Sequence, residues 1–160
     1  MKKLALCVWF ICLSSICFAQ ANLISYEDLK FLLHNNLAQA DTFLVAKRYA
    51  TIKKDDKKKT ATYKATIPGG TFVSLGMRAD GRRVFMELET NDANQYNLIN
   101  NSIAPYLNTE GSVGDVQIYT IKNLCSIYIT VNDSRPYNPL KRTYLMQIVS
   151  DKNVHSFDGN

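Results

Sequence analysis

Apolar residues recur along this chain with three successive patterns, and the changes between them mark its elements. A largely apolar run, Leu4 to Ala19, sits directly behind Met1-Lys2-Lys3. A cationic start, an apolar stretch shorter than the roughly 20 residues of a comfortable bilayer span, and small residues at its close make a secretory signal pattern. Cys17-Phe18-Ala19 permits a cut before Gln20, and Ala19-Gln20-Ala21 permits one before Asn22. The expected organisation is a cleaved signal peptide over 1–19, one domain over 20–150 and a polar tail over 151–160.

Steps of three and four then take over. Ser25 is placed as an N-cap, with Glu27 and Asp28 in the first turn. Leu29, Leu32, Leu33, Leu37, Ala40, Phe43 and Leu44 form one stripe, which predicts a single long amphipathic helix. After Arg48 the period becomes two. The segments 49–54 and 60–67 flank a charged turn, and Pro68-Gly69-Gly70 ends the second of them. Segments 71–77 and 84–90 bracket Asp80-Gly81, a hairpin in which Val73, Leu75 and Met77 face Val84, Met86 and Leu88. A second helix fits 91–107, capped by Asp92 and strained at its end by Pro105. Three more strands follow, over 115–121, 124–131 and 143–149, with the loop 132–142 before the last.

The order α-β-β-β-β-α-β-β-β predicts a single α+β domain. An antiparallel sheet would carry two helices on one face. Helix-then-strands occurs twice, so the halves have the form of a pseudo-repeat.

Composition changes this picture in two places. Loss of the leader removes Lys2 and Lys3, which lowers the net charge from +5 to +3. That excess is too mild for a nucleic-acid binder. Cys7, Cys12 and Cys17 leave as well, so Cys125 remains alone and no internal disulfide forms even in an oxidising compartment. Its apolar setting, Leu124 to Val131, reads as that of a buried structural thiol. The mature chain is expected to be exported, periplasmic or secreted, with no transmembrane span.

Catalytic chemistry finds little support. Two histidines, His34 and His155, and the absence of any CxxC, HxxxH or HExxH spacing argue against a metal centre, and no cofactor is expected. Glu87 and Glu89 alternate as solvated strand residues do, although two carboxylates on one face suit general acid–base work. An exported hydrolase-type enzyme using Glu87, His34 or Cys125 is therefore the alternative reading. The preferred one is a non-enzymatic binding module of the bacterial envelope or secreted fraction, with an immunity or inhibitor protein as a special case. Its partner would be a protein or an acidic envelope component. Two basic clusters, Lys53 to Lys59 and Arg78 to Arg83, make an anion-binding edge if both hairpin tips project from the same end. The loop before the last strand carries Arg135, Tyr137, Lys141 and Arg142 between and beside Pro136 and Pro139, which restrict its backbone. The contact surface is accordingly expected at Arg135, Tyr137, Lys141 and Arg142 together with Arg82 and Arg83.

Overall fold

The computed structural model describes residues 23–67, 69–79, 82–133 and 142–152. The expected leader over 1–19, its cleavage positions, the Asp80-Gly81 turn, most of the loop before the last strand and the tail beyond Lys152 lie outside those residues.

Among the described residues, three helices and seven strands form one α+β unit: α1 (Tyr26–His34), α2 (Leu37–Ala46), β1 (Ala50–Asp55), β2 (Thr60–Ile67), β3 (Thr71–Ala79), β4 (Val84–Thr90), α3 (Ala93–Ile103), β5 (Val116–Ile121), β6 (Cys125–Asn132) and β7 (Thr143–Ser150). The strands make one antiparallel sheet in the order β1-β2-β3-β4-β7-β6-β5. Two meanders thus meet at β4 and β7, the last strand of each half, which pair antiparallel from Phe85 opposite Val149 to Thr90 opposite Tyr144. That is the arrangement a pseudo-two-fold through the sheet centre produces, with α1 and β1 as the unmatched additions of the first half.

Alternation assigns the faces. Ala61, Tyr63, Val73, Leu75, Met86, Leu88, Ile127, Ile129, Met146 and Ile148 point to one side and join the apolar residues of the helices in a single buried cluster. The helices therefore cover one face of the sheet and leave the other to solvent. The expected hairpin pairing holds, with Leu75 opposite Leu88 and Met77 opposite Met86.

The long first helix is in fact two. The apolar stripe runs through Asn35 and Asn36, but their side chains take over helical hydrogen bonds. The Asn35 amide donates to the Phe31 carbonyl at 2.7 Å, and Asn36 accepts from the Gln39 N–H at 2.9 Å while Gln39 returns the bond. One helix is closed and the next is opened within two residues. α1 and α2 fold back on each other, with the Phe31 and Phe43 rings 4.7 Å apart. Lys47, following α2, reaches the Asp28 carboxylate at 2.6 Å and the Leu23 carbonyl at 2.8 Å.

Asp92 caps α3 as expected, accepting from the Asn94 N–H at 2.7 Å. The helix stops at Ile103 rather than reaching residue 107. Pro105 supplies no N–H, and a single 3-10 turn over Ala104–Tyr106 replaces the last helical turn.

Candidate functional site

Strand direction decides which loops share an end of the sheet. β1, β3, β5 and β7 run one way and β2, β4 and β6 return, so the β1–β2, β3–β4 and β5–β6 turns gather where β7 finishes. Three hydrogen bonds stitch this end together. The Ala79 N–H donates to the Lys59 carbonyl at 3.1 Å, the Val84 N–H to Ser150 Oγ at 2.8 Å, and the Asp151 N–H to the Leu124 carbonyl at 2.9 Å. The condition for an anion-binding edge, both basic tips on one end, is met.

Among the described residues, Lys57, Lys58, Lys59, Arg82, Arg83, Lys122 and Lys152 stand at this end against Asp55, Asp56 and Asp151. Lys57, Lys58, Arg82, Lys122 and Lys152 are exposed, whereas Lys59 and Arg83 are half-buried. The turn is built by Asp55, whose carboxylate accepts the Lys58 N–H at 3.0 Å. Charge gathered on adjacent turns raises the local potential more than the same charge scattered over the surface.

Of the other expected contact residues, Arg142 is the one that the structure describes. Arg142 stands one position before β7, at the opposite end of the sheet from Arg82 and Arg83, which stand just before β4. Antiparallel pairing of β4 with β7 forces this separation, because the start of one strand meets the finish of the other. The length of β7 puts roughly 25 Å between the two ends. Arg142 also spends its charge locally: its guanidinium bonds the Asp133 carboxylate at 2.5 Å, which raises its pKa above the ordinary value. Arg135, Tyr137 and Lys141 lie outside the described residues.

The helix-free face adjoins the basic end and holds a shallow trough of about 650 Å³. Arg78 and Phe85 line it, with the guanidinium 4.8 Å from the ring centre. Gly76, in the middle of β3, forms part of its floor, with Tyr128, Val149, Glu87 and Gln147 around it. Glu87 accepts a hydrogen bond from the Gln147 amide at 3.2 Å. Glu89 lies opposite Ser74 on one side and Leu145 on the other, in the next row of the same face.

The residues considered for catalysis are not gathered. Cys125 is buried in the core, and burial above all, with the Asp151 carboxylate adding to it, pushes its thiol up to about 12. A thiol so held is protonated at neutral pH and is no nucleophile. His34 is exposed on α1, with Nδ1 2.7 Å from the Lys30 carbonyl, and Glu87 lies on the opposite face of the sheet from the core. Among the described residues no group of three or more His, Cys, Asp or Glu is placed to hold a metal ion. No described helix is long and apolar enough to cross a membrane.

Sequence reasoning missed Gln95. It is fully buried, donating to the Ile24 carbonyl and accepting from the Ile24 N–H, both at 2.7 Å. Its role is to fasten the chain before α1 to α3, and no local pattern announces a partner 71 positions away. The chain matches no protein-family model, and neither curated proteins nor solved structures give a match.

Proposed function

We propose that the mature chain is an exported, non-enzymatic binding module that holds an acidic component of the envelope, protein or polymer, against the basic end of its sheet. The observation that carries this reading is the union of the two basic hairpin tips, tied through the Ala79–Lys59 hydrogen bond. The trough beside them adds half-buried aromatic and aliphatic surface to the charge, a combination suited to contact. The scattered positions of Glu87, His34 and Cys125 weigh against the enzymatic alternative.

The test uses the chain without residues 1–19 on immobilised poly-L-glutamate and polygalacturonate. Binding is expected at about 0.01 M salt and should weaken towards about 0.15 M, as the Debye length falls from about 30 Å to about 8 Å. Lys57→Glu combined with Lys58→Glu, both exposed, should lower affinity at least tenfold. Equal binding by the double variant, or no retention on either polymer, would overturn the proposal.

A further inference from the structure

The two edges of the sheet are finished differently. Outside β5 the preceding segment covers the strand: Leu107 bridges to Tyr119, and the Asn108 N–H donates to the Ile118 carbonyl at 2.8 Å. Outside β1 no described segment pairs, and Ala50, Thr51, Ile52, Lys53 and Lys54 are all exposed. A strand with one side unpaired presents a row of backbone donors and acceptors ready for another strand.

β1 also carries a bulge. Thr51 pairs with Tyr63 and Lys53 with Thr62, so Ile52 has no partner across the ladder and stands 62% exposed. The extra residue turns Thr51 and Lys54 to the same carboxylate, Asp41 of α2, at 3.3 and 3.5 Å. Lys53, opposite Thr62, stays exposed on the edge strand, and Lys57 and Lys58 in the turn that follows it are exposed as well.

We infer that β1 accepts an extended acidic polypeptide segment as an eighth strand, with the neighbouring basic tips engaging its carboxylates. This rests on the acidic-partner reading above and narrows that partner to a polypeptide. Main-chain hydrogen bonds supply the pairing, and alternate side chains supply selection. The lysines act in both directions. A second copy laid antiparallel on β1 with the two Lys53 side chains facing would set like charges across the strands, which destabilises the pair. A glutamate-bearing strand meets no such penalty, so the same residues reject self-association and favour the acidic partner. Ile52 offers the incoming strand an apolar contact at the bulge.

The experiment follows amide hydrogen exchange of the ¹⁵N-labelled chain lacking residues 1–19. Three peptide probes are used: alternating Thr/Glu/Val residues, the same peptide N-methylated at alternate backbone amides, and a lysine-for-glutamate counterpart. The acidic peptide should slow exchange along β1 at least tenfold and leave β5 unchanged. The other two should not. Ile52→Pro, placed at the unpaired bulge position, should abolish the protection, and Lys53→Glu should weaken it with the backbone intact. If the N-methylated peptide binds equally well, or the acidic one perturbs only the hairpin tips, strand addition is overturned while acidic binding stands. If neither the peptide nor poly-L-glutamate binds, both fall. Protection that grows with protein concentration alone would assign the edge to a second copy and also overturn the inference.

Discussion

Cys125 and Gln95 show how differently single residues can be read. The thiol was legible, because an apolar, β-branched neighbourhood foretells burial. Its folded pKa of about 12 lies above the ordinary 9.0, so between those values the unfolded chain releases a proton that the folded chain keeps. Stability is therefore lost as pH rises from about 9 towards 12, by at most about 1.4 kcal/mol per pH unit from this group. The buried phenols of Tyr49 and Tyr63, also raised by burial, add to the loss at higher pH. Urea midpoints measured from pH 8 to 11 should fall, with a shallower slope in Cys125→Ala. A parallel slope in that variant would contradict the assignment. Gln95 was not legible, since an amide on a polar, Asn-rich helix looks solvated until the fold brings Ile24 to it. Gln95→Leu strands a buried N–H and a buried carbonyl and should cost about 2–4 kcal/mol in denaturant unfolding. Glu87→Gln, on the open face, should cost little.

At the scale of elements, period two proved easier to read than the helical period. Strands β2 and β4 begin and end where alternation and turn residues place them, because each turn of the meander is marked by charge or glycine. The break between α1 and α2 was hidden for a physical reason: the apolar spacing continues across it, so both helices bury the same kind of stripe. Only the side chains of Asn35 and Asn36 tell them apart, and asparagine competes for backbone hydrogen bonds without changing the hydrophobic pattern. Asn36→Ala removes the cap of α2 and should destabilise the fold by about 1 kcal/mol, read as a shifted unfolding midpoint with an unchanged denaturant slope. An unaffected midpoint would mean that the Gln39 side chain or water replaces the cap.

At the scale of the molecule, the class of fold was legible but the neighbours of each strand were not. Nothing in the alternation of β4 or β7 says that they meet, and it is that pairing which sets Arg142, just before β7, at the far end from Arg82 and Arg83. Of the surface expected from sequence, Arg82 and Arg83 therefore stand at one end of the sheet and Arg142 at the other. Among the described residues, cations on the adjacent turns of the first end outnumber carboxylates. At the other, the Arg142 guanidinium is matched by Asp133. Long-range attraction depends on unbalanced charge, and an ion pair contributes little field beyond a Debye length. The two ends should respond differently to substitution. Lys58→Glu should slow association with poly-L-glutamate severalfold at about 0.01 M salt, with the difference shrinking towards about 0.15 M. Arg142→Ala should leave that rate within experimental error and instead speed amide exchange at Asp133 and Thr143, where the ion pair closes the base of the loop. Stopped-flow association and hydrogen exchange on the same two variants read both effects. A rate lowered equally by both substitutions would place the contact across the sheet rather than at its basic end.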